Sequence, residues 1–519
     1  MSYKEWPCME YLKRFCKFLS CNKPILMVIL GCFFLLAPPF FSNIKILYIL
    51  SVWIWPFCFL YYAHFSQKSY AQAVLILFLV IGLSIRFHGV LGPDFEGAGG
   101  LFMVFTSCVF WIPFVWDSVY CHKESPFLYT LIFPAIFCTM NFILSACSVI
   151  PICNLAYAQY DNKPFLQLVS VIGEFGITFL ITWTASIAVY VIEHWKRPEG
   201  KRVGLIALSV LIVLHVGGAV RCNAWPEEQS TVKVAQAIGP KLDQDKSEWG
   251  ILTYDRNVES FEKIAIAAFE KGADILVFSE EAFTIEDLNE QRFMEYVREM
   301  ARKFSLPILL TLEIVDMDNN QEGKLINKAV LIDKYGEVLA EYVKHNILPV
   351  VEAGSTVIGE GPIPANVLAL GNSSYAVSFT ICYDGNFSEF VRDMEPTTQL
   401  YFNPCWDWKS INDFHYRTIG TRSVEMGVNL VMTTNDGISL VSNPVGKEIS
   451  LAQIDQLGLD QIYITEVPTK QIETIYSKIG GLLNLIYPVI SLVFIVFGQR
   501  RGWRRKIKLN KLKRQRTKA

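Results

Sequence analysis

Ser378-Phe379-Thr380-Ile381-Cys382-Tyr383-Asp384 is the stretch on which the reading of this chain turns. Tyr375 to Ile381 is a short apolar run with turn residues on both sides, which reads as a buried strand, and a cysteine followed by an acid stands at its end. Open α/β sheets gather reactive side chains just beyond the ends of strands. Two upstream segments are built the same way. In Val277-Phe278-Ser279-Glu280-Glu281-Ala282 a carboxylate follows the strand Asp274 to Phe278, and in Tyr342-Val343-Lys344-His345-Asn346-Ile347-Leu348-Pro349 a lysine follows Glu337 to Val343, with Glu352 further on.

Outward from these segments, Thr231 to Ala237 and Pro307 to Ile314 read as strands, and Val258 to Lys271 and Leu288 to Phe304 as amphipathic helices. Lys328 to Asp333 and Asn429 to Thr434 add further strands. Alternation of strands and helices predicts a layered α/β domain. The hairpin from Lys328 to Val343, with Lys334, Tyr335 and Gly336 at its turn, predicts mixed strand pairing.

The rest of the chain is a different material. Of 519 residues, 52% are hydrophobic and 18% charged, and the mean hydropathy is +0.31, too apolar for a soluble protein, whose charged share is about 25%. The excess lies in apolar stretches at about 24–41, 44–63, 71–88, 100–117, 127–148, 165–193 and 203–221, and in one more at about 480–498. The sequence therefore predicts a membrane domain over 1–222 with seven spans, an α/β domain over 223–479, and a last span with a basic tail over 480–519. Pro38 and Pro39 end the first stretch with no small-residue cleavage site, which argues against a removed signal peptide.

Basic residues favour the cytoplasmic side of short loops. Lys4, Lys13, Arg14, Lys17 and Lys23 precede the first span, Lys196, Arg197, Lys201 and Arg202 separate the sixth and seventh, and the tail from Arg500 to Lys518 follows the eighth. Eight crossings put all three clusters on one side, so both termini are expected in the cytoplasm and the α/β domain on the outer face. Beside a span, the tail reads as a membrane-surface anchor and gives no reason to expect nucleic acid. Arg86 and Asp94 lie near loop ends, and no transporter-like charge pair inside the membrane is evident. Ten of the 13 cysteines precede Cys222, without repeated spacing, and no CxxC or HExxH motif occurs, so neither a disulfide framework nor a metal cofactor is expected.

Taken together, the order strand–Glu280, strand–Lys344, strand–Cys382 resembles the nitrilase (carbon–nitrogen hydrolase) superfamily, whose Glu, Lys and Cys triad sits on an αββα sandwich. Gln236 after Val232-Lys233-Val234-Ala235 looks like that fold's opening strand. Tyr342-x-Lys344 with Leu348-Pro349 and Glu352 is similar to its Tyr-x-Lys-x-His-Leu-Val-Pro-Phe-Gly-Glu stretch. Ile381-Cys382-Tyr383-Asp384 resembles Ile-Cys-Tyr-Glu, and His415, Arg422, Glu425 and Asn435-Asp436-Gly437-Ile438-Ser439 resemble later family positions. A domain of this kind after about seven spans and before a final one resembles the apolipoprotein N-acyltransferase family.

The resemblance implies acyl transfer from a phospholipid donor, through a thioester on Cys382, to the N-terminal amine of a diacylated apolipoprotein at the outer face of the cytoplasmic membrane, by a monomer without cofactors. Glu280 would be the general base, with Glu281 its rival, since neighbouring side chains at a strand end point oppositely. Lys344 would stabilise the oxyanion, helped by the Tyr383 backbone N–H, and would favour the Cys382 thiolate. Glu352 would hold Lys344. Cys405 beside Pro404 and Trp406 reads as a packing residue, and His345 and His415 as structural. The same triad with water as acceptor would make a membrane-tethered amidase, and an inactive triad a scaffold domain. Ser279, Asp384, Val350-Val351 and the segment Asn403-Pro404-Cys405-Trp406-Asp407-Trp408-Lys409 depart from the family pattern.

Overall fold

A computed structural model describes residues 22–40, 44–66, 69–121, 126–150, 152–226, 230–240, 253–315, 324–454 and 462–496. The basic residues before Lys23 and the basic tail lie outside the described residues.

Among the described residues, seven helices are long and apolar enough to cross a membrane: Lys23–Phe40, Lys45–Phe65, Glu96–Tyr120, Phe127–Ala146, Val169–Glu193, Pro198–Asn223 and Ile475–Val496. The third of the eight expected spans is the exception. Ala71–Arg86 has only 16 residues, about 24 Å at 1.5 Å per residue against a hydrocarbon core of about 30 Å. Beyond it the chain folds into tight turns, and Gly89 accepts a 2.7 Å bond from the Trp408 indole. The last helix begins at Ile475, five residues before the expected start at 480.

A polar cluster joins the spans, in the last turn of each helix and not in the membrane interior. His64 lies 2.5 Å from Asp117 Oδ2 and 3.0 Å from Glu193 Oε1, so three polar residues from three helices satisfy one another in a setting where an unpaired charge is costly. A composition window hides them because each is one residue in a long apolar helix.

The α/β domain has two sheets, the first ordered β13-β1-β2-β4-β5-β6 with β3 also on β4, the second β12-β11-β10-β9-β8-β7. The first contains β1 Thr231–Ala237, β2 Ile275–Phe278, β3 Phe283–Glu286, β4 Ile308–Val315, β5 Leu325–Ile332, β6 Val338–Val343 and β13 Ile462–Pro468. The second contains β7 Ala365–Leu370, β8 Ser373–Phe379, β9 Leu400–Trp406, β10 Asn429–Asn435, β11 Ser439–Ser442 and β12 Glu448–Ala452. Both mix parallel and antiparallel pairs, as the hairpin at Lys334 to Gly336 predicted.

Helices Tyr254–Glu270 and Asp287–Phe304 cover the first sheet's outer face around a core of Phe261, Ile264, Phe293 and Val297. Asp287 and Glu290 in the first turn and Arg302 and Lys303 in the last complement the dipole of the second of these helices. The other sheet carries Asn412–Met426. This completes the αββα layering over a polytopic helical domain.

Between the sheets, Gln236 donates from β1 to the Met432 carbonyl and the Thr433 hydroxyl of β10, each at 3.0 Å. The core between the sheets runs without a break into the membrane helices, through Phe379, Tyr383 and Phe414 to Phe87, Leu91 and Tyr157. Polar ties cross the same boundary. Arg417 pairs with Asp161 at 2.9 Å, and the fully buried Arg422 pairs with Glu174 of the helix Val169–Glu193 and with Glu425 of its own helix. Glu174 can reach Arg422 because the chain turns at Gly173, whose φ is +68°.

Candidate active site

Three strand ends of the two sheets converge on one point. Glu280 follows β2, Lys344 follows β6 and Cys382 follows β8, all three nearly inaccessible to solvent yet lining one open cleft. Lys344 Nζ donates to Glu280 Oε1 at 2.8 Å and to Glu352 Oε1 at 2.6 Å. Burial works against its charge, but Glu280 and Glu352 together outweigh that penalty and hold its pKa well above the ordinary lysine value. Glu352 is fixed in turn by the Leu348 backbone N–H on its other oxygen.

Glu280 is held on both oxygens. Asn327 Nδ2 donates to Oε1 at 2.8 Å, and the Trp406 backbone N–H donates to Oε2 at 2.8 Å. The expected opposition of Glu280 and Glu281 is corrected. Glu281 has φ +51°, and this turn brings its side chain back so that Asn327 bonds both carboxylates, the second at 2.9 Å. Burial, then Glu313 and Glu280, push the Glu281 pKa well above the ordinary glutamate range, which favours its protonated form. Asn327 was not singled out in the sequence because the strand was read from Lys328 onward. A polar side chain inside the apolar run Leu325 to Ile332 was the available signal.

Cys382 sits on a sharp turn with φ +42°, at the start of the 3-10 turn Cys382–Asn386. Asp384 clamps this turn to the lysine loop: it accepts from the Tyr342 hydroxyl at 2.8 Å, from the Asn346 backbone N–H at 2.6 Å and from the Ile381 backbone N–H at 3.2 Å. Aspartate, where the family often has glutamate, is long enough for all three. Lys344 favours the Cys382 thiolate, as the sequence leads one to expect, but it is not the largest influence on this thiol. Contact with Cys405, burial and the Glu280 charge outweigh the pull of Lys344, and the thiol pKa lies well above its ordinary value. These influences favour the protonated thiol.

Cys405 belongs to β9 and its thiol, at the Cys382 thiol, bonds Asn403 Oδ1 at 3.1 Å. His415 is buried too, its Nδ1 2.6 Å from Asp407 Oδ1. Tyr383 accepts from the Ile150 backbone N–H at 2.9 Å and donates to the Ser148 carbonyl at 3.2 Å, tying the turn at Cys382 to a loop of the membrane domain. Its own backbone N–H stands one residue past Cys382, the position expected for oxyanion binding. His345 stacks on Phe390 and bonds the Gly359 carbonyl, a structural setting.

The cleft over these groups has a volume of about 760 Å³. Its polar end is Glu280, Lys344 and Cys382. Its walls are mostly apolar and come from both domains, including Val90, Phe95, Phe102 and Ile150 from the membrane domain and Leu348 and Val351 from the lysine loop. Such a site suits a long apolar substrate group presented to a buried thiol, with two carboxylates and a fixed ammonium around the reacting atom.

Residues 247–475 match the family model described as carbon-nitrogen hydrolase, and residues 30–187 match that of the apolipoprotein N-acyltransferase N-terminal domain. Among curated relatives, "Apolipoprotein N-acyltransferase" of Rickettsia typhi is 24% identical over 392 residues, covering 71% of this chain and 76% of its own. The protein of the same name from Geobacter metallireducens is 24% identical over 353 residues, 64% of this chain and 67% of its own. Among solved structures, an amidase from Nesterenkonia sp. is 21% identical, with 48% of this chain and 94% of that one covered and a TM-score of 0.36. With both models matched in sequence order on one chain, and with relatives matched across both domains, the chain belongs to the apolipoprotein N-acyltransferase family of the nitrilase superfamily.

Proposed function

We propose that this multi-pass membrane acyltransferase moves an acyl chain from a phospholipid to the N-terminal amine of the diacylglyceryl-cysteine of apolipoproteins, through a thioester on Cys382. One observation carries the reading: a buried Cys382 beside the Glu280–Lys344–Glu352 arrangement, at the end of an apolar cleft whose walls come partly from the membrane helices.

In the first half-reaction Glu280 takes the Cys382 proton as the sulfur attacks the ester carbonyl. The ammonium of Lys344 and the Tyr383 backbone N–H stabilise the oxyanion. The C–O bond breaks, and the protonated Glu280 returns the proton to the departing lysophospholipid oxygen. In the second, the acceptor amine attacks the thioester, its proton passes to Glu280, the C–S bond breaks and the thiol is restored. Burial of Cys382 limits access of bulk water to the thioester, which favours transfer over hydrolysis.

The side of the membrane follows from where the two ends of the helices lie. The helix Val169–Glu193 meets Arg422 of the α/β domain near its start and runs to Lys196, Arg197, Lys201 and Arg202 at its other end. By the preference of basic loops for the cytoplasm, the catalytic domain faces outward; placing both termini inside requires the short helix Ala71–Arg86 to cross as an eighth span.

The test is acyl-enzyme formation. Purified protein supplied with phospholipid labelled in its acyl chain should acquire hydroxylamine-sensitive label, lost in Cys382→Ala. A wild type without label overturns the reading. Adding a diacylated lipopeptide should move the label onto its amine; release as free fatty acid alone would favour the amidase-like alternative.

A further inference from the structure

Two side chains that could ligate a soft metal meet the Cys382 thiol, itself a third. Cys382 Sγ, Cys405 Sγ and a ring nitrogen of His415 lie within 4.8 Å of one another, and all three residues are buried. They come from separate elements, the turn after β8, strand β9 and the helix Asn412–Met426, so their meeting follows from the fold and not from a local sequence motif.

The outer contacts are those of a metal ligand. His415 Nδ1 is 2.6 Å from Asp407 Oδ1, and a carboxylate there accepts a hydrogen bond from Nδ1–H, which keeps the proton on Nδ1 and leaves the Nε2 lone pair free. Nε2 has only a long contact, 3.3 Å, with Asn386 Nδ2, a group that also reaches the Tyr383 carbonyl at 3.3 Å and so has a second acceptor. Tetrahedral zinc, with bonds of about 2.3 Å to sulfur and about 2.0 Å to nitrogen, needs ligand atoms about 3.5–3.8 Å apart. The three atoms need close by at most about 1.3 Å to meet that geometry.

We propose that Cys382, Cys405 and His415 form a site for a thiophilic dication of the zinc or cadmium class, and that its occupation switches the enzyme off. Binding forms two metal–sulfur bonds and one metal–nitrogen bond, and releases the two thiol protons to solvent. The two thiolates balance the dication. Lys344 is already matched by Glu280 and Glu352, so its charge does not bar the ion. The fourth position faces the cleft and is left for water. A sulfur held this way cannot attack an ester, and an acylated Cys382 is a poor ligand, so metal and acyl donor exclude each other. Inhibition rests on Cys382 being the nucleophile; binding does not.

The full chain in detergent micelles, reduced and stripped with a chelator, is titrated with Cd²⁺ while thiolate-to-metal charge-transfer absorption is recorded. One equivalent should bind, shield Cys382 from iodoacetamide and abolish acyl-enzyme formation until chelator is added. Cys405→Ala and His415→Gln should each weaken binding at least tenfold, with thermal unfolding recorded as a check that each variant is folded. Charge-transfer absorption equal in wild type and Cys405→Ala would mean adventitious binding by other cysteines and would overturn the site. Binding with shielding, in a protein that forms no acyl-enzyme even without metal, would uphold the site and remove the inhibitory role along with the nucleophile reading.

Discussion

The Trp406 backbone N–H donates a 2.8 Å hydrogen bond to Glu280 Oε2, so the candidate base is positioned by main chain from the segment that departs most from the family pattern. A main-chain donor survives changes in the side chains of that segment. The next N–H, of Asp407, points the other way, to the Asn435 carbonyl at 2.9 Å, which leaves the Trp406 N–H free for Glu280. Trp406→Ala should therefore keep acyl-enzyme formation within a few fold, because the donor remains. Trp406→Pro, which deletes only that donor from the strand's pairing, should lower it on the order of 10²-fold. Equal rates in the two variants would show that this bond does not position Glu280.

Lys344→Met removes the single cation between two carboxylates. The loss of oxyanion stabilisation should cost on the order of 10²–10³ in acylation rate. Stability should fall by about 3–5 kcal/mol, the usual consequence of stranding the partners of a buried ion pair. Adding Glu352→Gln should recover part of the stability and none of the rate. Thermal unfolding and hydroxylamine-sensitive labelling read the two effects separately, and a double variant no more stable than the single one would contradict the electrostatic account.

Cys382 should react with iodoacetamide slowly at neutral pH and faster as pH rises, because its thiol pKa is raised and only the thiolate attacks. The signs for two variants are opposite. Cys405→Ala removes the largest influence that raises the pKa, so more thiolate is present at a given pH and alkylation quickens. Lys344→Met removes the influence that lowers it, so alkylation slows. Peptide mass spectrometry of Cys382 over a pH series gives the profiles; a Cys405→Ala profile displaced toward higher pH would reverse the argument.

The layering and the three strand ends were legible because strand patterns and turn residues are local, and β1 was read to the residue at Thr231 to Ala237. What escaped depends on contacts between distant segments. Pro404 beside Trp406 gives no strand signal, yet β9 runs through it; Phe402 accepts from Thr380 on the β8 side, and Pro404, two residues on, faces the same side beyond the last β8 pair, where no ladder N–H is needed. Cys405 and His415 read singly as packing and structural residues, and only the stacking of β9 and Asn412–Met426 over the turn at Cys382 brings them to its thiol. The His64, Asp117 and Glu193 cluster escaped for the same reason, since its members are 53 and 129 residues from His64 in the chain.

Gly173 is where the two domains depend on a backbone conformation that only glycine adopts freely. Its φ is +68°, and a Cβ there would stand 2.1 Å from the Tyr476 ring, whose hydroxyl is held 2.9 Å from both Ser388 and Asn484. The ring cannot yield without giving up those bonds. Nor can the backbone straighten, because the turn aims Glu174 at Arg422 and the Glu174 N–H at Glu425 Oε1, 3.0 Å away. Gly173→Ala should therefore destabilise the protein by at least about 2 kcal/mol, from backbone strain of about 1–3 kcal/mol at a positive φ with extended ψ, and the added overpacking. Thermal unfolding in detergent should show a lowered midpoint, and proteolysis between the domains should become faster. A variant with the wild-type midpoint would mean that the junction can repack around a side chain, and that Arg422 and Glu174 do not fix the placement of the catalytic domain on the helices.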